Sequence, residues 1–405
     1  MPSSPTTTAE VRVETGSKYE SSKELGLSHF LEHMCFKGTK KRPSAAEVHK
    51  AFDELGAISN AFTSSEVTGY WAKAGYKNVL KILDIVSDIY LNTIFKNEDL
   101  TKEKGVITEE INMYEDKPEA MVAELFDREM HGNQPAGLPV IGNKKSINSF
   151  TVKDLYNYRT KHYVARATTI IIAGRFNESE VRSRINDVFG GVPRSKKFGK
   201  KKTKISHRGI RVVHKHKDTD QAHIILGMRS YPYKDKRNRV VGLVRGILSG
   251  GMSSRLFHRL REELGICYYV RALNVPSTDH GEFGVASGVD PKRIDIAVAA
   301  IIDEFKKLKN DLISREELKK VKISMISKMY MSLETSDNAL DHFSDRSTFY
   351  DDLKMPQQIE KEILAVTPED IKKVASELFN SKDLLLAVVS KNINKIKLKK
   401  VLTLK

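Results

Sequence analysis

The sequence predicts an α+β protein of two related domains, each a mostly antiparallel sheet with helices packed on one face. Three observations carry this expectation. The chain has 405 residues, more than one hydrophobic core usually holds when domains of ~150 residues are the common size. Strand-like and helix-like patterns recur in similar order in two halves. Between the halves lies Arg194–Lys204 (RSKKFGKKKTK), seven basic residues in eleven with no apolar period, which suits a solvated linker. The expected division is therefore 1–193, a linker over 194–208, and 209–405.

The first half opens on a strand (AEVRVETGS), runs through helical patterns, and closes on the strand ATTIIIAG and a short helix over Glu178–Phe189. In the second half the strands GIRVVHKH and QAHIILGMRS precede helices over Lys236–Leu264. Strands follow near Cys267–Leu273 and Glu282–Ser287, then a helix over Pro368–Phe379 and the strand DLLLAVVS. Two strands come before the first long helix in the second half and only one in the first. The first domain is accordingly expected to lack its first edge strand.

Composition narrows the function classes. Hydrophobic residues make up 40% of the chain and charged residues 30%, enough apolar material to build cores, which excludes a disordered chain. No apolar run approaches the ~20 residues of a membrane helix. The opening MPSSPTTT has no basic region followed by an apolar core, and Cys35 and Cys267 are too few for a disulfide framework. A cytoplasmic protein is expected from both. The net charge of +16 raises nucleic acid as a partner, but outside Arg194–Lys204 the basic residues are dispersed, and no specific nucleic-acid or membrane partner is expected.

The chemistry concentrates in Gly26–Phe36 (GLSHFLEHMCF). At helical period Leu27, Phe30, Leu31 and Met34 form an apolar stripe, and His29, Glu32 and His33 fall on the opposite side. His29 and His33, one turn apart, have the spacing with which two imidazoles grip one metal ion, and Glu32 stands beside them; the order is H-x-x-E-H. A catalytic zinc site takes a third protein ligand. The helical stretch Glu98–Asp116 aligns Glu103, Ile107, Glu110 and Tyr114 on one partly apolar face. Carboxylates on such a face need a partner, and a metal is one. Glu110 is the expected third ligand and Glu103 its supporting neighbour; the competing reading is a surface helix with ordinary charges.

These residues resemble the pitrilysin/insulinase family of zinc metallopeptidases, which includes the mitochondrial processing peptidase and smaller bacterial relatives of about this length. The family pattern places a ligand Glu after 76 intervening residues, which from His33 is Glu110, and an auxiliary Glu seven residues earlier, which is Glu103. TGSKYE before the motif, HMCFKGTKKRPS around and after it, and LGAISNAFT ending at Thr63 also match. The resemblance implies one Zn²⁺ per chain on His29, His33 and Glu110, with Glu32 as general base on a metal-activated water. It further implies that Asn60 and Ala61 lie on an edge strand, Asn60 polarising the scissile carbonyl and the Ala61 backbone pairing with an extended peptide. In LREELGICY, Arg261 and Tyr268 fit the family's Arg and Tyr that reach the substrate.

The implied function is a zinc-dependent endopeptidase acting on extended or unfolded peptides with broad specificity. The alternative is a noncatalytic or partner-requiring subunit of a heterodimeric peptidase, against which the complete set His29, Glu32, His33 and Glu110 argues. The glycine stretch Gly246–Arg255 is short beside the glycine-rich loop of the processing peptidase, so presequence cleavage is not expected. One chain carries both the metal motif and the Arg/Tyr pair, which suggests a homodimer enclosing a peptide chamber, with a heterodimer with a paralogue as the second option. Other constellations are read as structural: His214 and His216 as surface histidines on a strand, Cys35 as a buried thiol, and Tyr70 and Trp71 as sheet packing.

Overall fold

A computed structural model describes residues 1–404. Two compact units emerge: the first holds Met1–Met113, Leu138–Lys201 and Ser332–Thr348, the second Tyr114–Gly137, Lys202–Met331 and the chain from Phe349 onward. The boundaries differ from the contiguous halves expected, because each unit takes in one segment embedded in the other's stretch of sequence.

The first unit is built on β1 (Thr6–Val13), β2 (Ile58–Thr63), β3 (Thr68–Gly75) and β4 (Thr168–Gly174). They form an antiparallel sheet in the order β2-β3-β1-β4. Period-two alternation in β1 sends Ala9, Val11 and Val13 into one core. That core is completed by Leu27, Phe30, Leu31 and Met34 of α1 (Leu27–Cys35) and by helices α2 (Ala45–Asp53), α3 (Val79–Leu91) and α4 (Asn97–Asp116). The alternate residues of β1 are polar yet also buried. Thr8 bonds Ser336 at 2.9 Å, and Arg12 pairs with Glu10 at 2.6 Å and with Asp345 at 3.0 Å, so the helix Ser336–Asp345 covers the sheet's second face. This explains why a segment so late in sequence joins the first unit: a buried carboxylate and guanidinium require each other and further hydrogen-bonding partners, and Ser344 and Asp345 supply them.

In the second unit β5 (Arg211–His216), β6 (Ala222–Ser230), β7 (Cys267–Pro276), β8 (Gly281–Val289) and β9 (Leu385–Ser390) lie in the order β5-β9-β6-β8-β7. Only the β5–β9 pair is parallel. Ile224, Leu226, Met228, Leu386 and Val388 face a core shared with the helices Arg237–Ser249, Ile294–Asn310 and Pro368–Leu378. On the reverse face Ile225, Leu385, Ala387 and Val389 meet Met121, Val122, Leu125, Phe126 and Met130 of α5 (Pro118–His131). The approach is close at Gly227, where a Cβ would stand 2.8 Å from the Phe126 ring and 2.5 Å from the Phe283 carbonyl oxygen. The sequence-based expectation gives residues 118–131 no element of their own and keeps them in the first half, and local pattern does not say which sheet such a helix meets.

Set side by side, the first sheet has four strands and the second five. Among the described residues the edge strand β4 has no neighbour in the position that β5 takes beside β9. Residues 194–208 carry neither helix nor strand. Within the first unit Lys197 pairs with Glu14, and Lys200 with Glu66 at 2.8 Å, so part of the basic block is neutralised by its own chain. No helix is long and apolar enough to cross a membrane among the described residues.

One contact fixes where α1 begins. Glu20 accepts the backbone N–H groups of Gly26 at 2.8 Å and Ser28 at 2.7 Å, which places a carboxyl at the positive end of the helix. Gly26 has φ of 88°, and a Cβ there would meet the Ile141 carbonyl oxygen at 2.7 Å, so only glycine admits the turn. Burial pushes the Glu20 carboxyl up to about 7, the hydrogen bonds from Ser28 and Gly26 only partly offsetting it. A carboxyl raised on folding contributes stability that is full below its unfolded value near 4.5 and is lost as the pH rises through about 7. Between pH 5 and 8 the wild type should therefore lose roughly 2–3 kcal/mol relative to Glu20→Gln. Urea unfolding of both proteins at the two pH values measures this; a constant difference would contradict it.

Candidate metal centre

The candidate centre lies wholly within the first unit. With Leu27, Phe30, Leu31 and Met34 buried, α1 cannot roll about its axis without exposing its apolar stripe. Its other side therefore carries His29 and His33 with ring centroids 4.5 Å apart. The third group comes from α4, where Leu100, Ile107 and Ile111 are buried and the helix presents Glu110. Glu110 Oε2 stands 3.7 Å from His29 Nε2 and 3.7 Å from His33 Nε2. Ligands about 2.1 Å from a tetrahedral zinc are about 3.4 Å apart, so the three donor atoms fit such an ion with small adjustment. The three residues form one of two His/carboxylate groups able to hold a metal among the described residues.

Electrostatics suit the donor set. Burial first, then the neighbouring His33, takes the His29 imidazole down to about 3, leaving it neutral as a ligand must be. His33 goes the other way. Burial opposes its charged form, but the Glu103 hydrogen bond and the charges of Glu32, Glu103 and Glu110 outweigh that and raise it, so cation binding there competes with a proton. His33 Nδ1–H donates to Glu103 Oε1 at 2.8 Å, which turns Nε2 toward Glu110. Glu103 is itself buried and lies below the usual carboxylate range: burial raises it, but His33 and Lys37, whose Nζ is 2.5 Å away, prevail. His29 Nδ1 is buried with no hydrogen-bond partner among the described residues.

Glu32 is buried beside the two imidazoles and raised by that burial, an effect that Thr63 partly offsets by donating from Oγ1 to Oε2 at 2.5 Å. Thr63 belongs to β2, the edge strand on which Asn60 and Ala61 also lie. Asn60 Oδ1 accepts the Ala61 N–H at 2.9 Å. In the second unit Arg261 lies on a π-helical segment (Phe257–Glu263) and donates from Nη1 to the Tyr268 carbonyl at 3.3 Å. Tyr268 is the extra residue of a bulge in β7 and is 72% exposed.

The structure thus gathers His29, Glu32, His33, Glu103 and Glu110 in one place and sets Asn60 and Ala61 on a sheet edge. Sequence reasoning assigned no role to Lys37, Thr63 or Glu20. Lys37 lies past the end of α1 and meets Glu103 of α4, so its contact, like that of Thr63 with Glu32, joins elements distant in sequence. The readings made for the other constellations agree with their surroundings. His214 and His216 bond the carbonyls of Ser390 and Lys391, Cys35 is fully buried against the Tyr70 hydroxyl, and Tyr70 is sheet core.

Comparison with known proteins identifies relatives of the chain. Residues 1–144 match the profile of the insulinase family, peptidase family M16. Residues 149–325 match the profile described as the peptidase M16 inactive domain. A Bacillus subtilis protein named an uncharacterized zinc protease is 31% identical over 95% of this chain and 93% of its own length. One from Rickettsia felis with the same description is 31% identical over 90% and 88%. Among solved structures, a protease from Helicobacter pylori superposes with a TM-score of 0.89 at 23% identity, covering 96% of this chain and 94% of that one. A peptidase M16 inactive domain from Pseudomonas fluorescens gives 0.89 at 16% over 98% and 95%. At these identities the structural likeness speaks for the fold.

If Glu103 sets the His33 ring, Glu103→Gln should weaken zinc binding about 10–100-fold while the fold is kept. Competition with a chromophoric chelator measures the change, and an unaltered dissociation constant would remove Glu103 from this role.

Proposed function

The chain belongs to the insulinase family of peptidases, M16, and from that premise we propose that it is a zinc-dependent endopeptidase cleaving extended or unfolded peptides. The observation that carries the reading is the meeting of His29, His33 and Glu110 around one point with the Glu32 carboxylate beside them. Zinc relatives support the choice of metal. A zinc ion held by these three residues supplies Lewis acidity, polarising a peptide carbonyl and lowering the pKa of water toward ~7.

The chain's own groups do the rest. Glu32 takes the proton of the attacking water and returns it to the leaving amine, a task suited to a carboxyl raised by burial and fixed by Thr63. Glu103 holds the His33 ring. Asn60 has its Oδ1 engaged by Ala61, which leaves its amide N–H groups to donate to a substrate carbonyl. The exposed edge of β2 pairs with the backbone of an extended peptide at Ala61, so that main-chain hydrogen bonds supply affinity for varied sequences. The family resemblance assigns Arg261 and Tyr268 the role of oxyanion donors. Because one chain carries both the metal motif and this pair, the working form is a homodimer.

Glu32→Gln should keep zinc and lose ~10²-fold or more of kcat/KM on a quenched fluorescent peptide. His33→Ala should lose metal and activity together, and chelation should abolish activity that added zinc restores. Cleavage by Glu32→Gln at the wild-type rate would refute the mechanism. Arg261→Ala and Tyr268→Phe should each lower kcat by ~10²-fold with zinc content unchanged; steady-state kinetics with metal analysis decides, and unaffected kcat in both would take the oxyanion role from them.

A further inference from the structure

A second group of imidazoles and a carboxylate sits in the second unit, made of residues given no catalytic or binding role above. His131 is the last residue of α5, and His280 and Glu282 flank the first residue of β8. All three are buried, with exposures of 4%, 7% and 9%. Each offers one ligand atom, and these atoms lie within 4.8 Å of one another. The His131 and His280 rings meet edge to face with centroids 4.5 Å apart, and His131 Nε2 contacts Glu282 Oε1 directly.

The surroundings orient the donors. His280 Nδ1–H donates to Asp279 Oδ1 at 2.8 Å, the outer carboxylate contact that fixes a metal-binding imidazole with its Nε2 lone pair directed away from that carboxylate. Asp279 is braced in turn by the Thr203 N–H at 2.7 Å. Arg229 holds the end of α5 by donating to the Met130 carbonyl at 2.6 Å, with its other terminal nitrogen 3.4 Å from His131 Nδ1. Asp127, one turn before His131 on α5, lies beside Glu282 as a further carboxylate. Two imidazoles and one carboxylate are the borderline N/O set that suits zinc and its neighbours in the first transition row, with Asp127 a hydrogen-bonding neighbour of Glu282 rather than a further donor.

We propose that His131, His280 and Glu282 form a second divalent transition-metal site, structural in role, which pins the carboxyl end of α5 to the β7–β8 hairpin. The site is closed by burial, unlike the partly open first centre. It ties a helix whose flanking sequence builds the first unit into the sheet of the second, so metal binding there is coupled to that packing.

The test counts zinc in chains stripped with chelator, reloaded with zinc and passed over a chelating resin. Wild type should hold two zinc ions per chain. His29→Ala/His33→Ala should hold one and melt at a higher temperature with zinc than without. Adding His280→Ala, or the milder Glu282→Gln should His280→Ala not fold, should remove that ion and the melting shift. Cobalt(II) added to His29→Ala/His33→Ala should give tetrahedral visible bands that Glu282→Gln abolishes. An empty His29→Ala/His33→Ala chain with no melting shift would overturn the proposal, leaving a hydrogen-bonded His131–Glu282 pair. A retained ion that survives both added substitutions would overturn it equally. Neither result depends on peptidase activity.

Discussion

The fixed roll of α1 is the constraint on which the first unit's chemistry depends. Four large side chains on one stripe of a nine-residue helix are all buried, and burying each is worth about 1.5–3 kcal/mol. Any rotation that moved His29 and His33 off their direction would expose part of that stripe. Glu20 and Gly26 fix the helix at its amino end as well, so neither sliding nor rolling is open to it. The direction in which the imidazoles leave the helix is thus a by-product of core packing.

How much of this was legible follows the range of the interactions. The H-x-x-E-H spacing, the stripe on α1 and the alignment of Glu103 with Glu110 are local periodicities, and the side chains meet as the wheel places them. The partner of each carboxylate was less legible. Glu103 bonds His33 and Lys37, whereas the helical wheel puts it on the same face as Glu110, and the family spacing agreed with the division of roles between them. Thr63 and Glu20 gave no signal because their contacts join residues from different elements. The same limit explains α5: the sequence-based expectation gives residues 118–131 no element of their own, and the helix's destination depends on which sheet face is apolar. The helix Ser336–Asp345 is the polar counterpart of that problem, since no alternation rule anticipates a buried Glu10–Arg12 pair that must recruit Ser344 and Asp345.

The two sheets solve one covering problem with different chemistry. Each has a second face that a helix closes, by hydrogen-bonded ions and hydroxyls in the first unit and by aliphatic contact in the second. Replacing a polar cover demands that every partner be satisfied again, whereas an aliphatic one tolerates volume-conserving exchange. Sequence drift among homologues should accordingly be freer at Met121, Val122 and Leu125 than at Glu10, Arg12 and Asp345.

The Asn60 side chain that engages the Ala61 amide has a further consequence. An unpaired strand edge invites any extended polypeptide, including misfolded copies of the same chain, to add itself permanently. Here an incoming backbone must first displace an internal amide carbonyl, exchanging one hydrogen bond for another of similar strength. At that one position an added strand would exchange a hydrogen bond rather than gain one, which weighs against lasting adhesion there without affecting the rest of the edge.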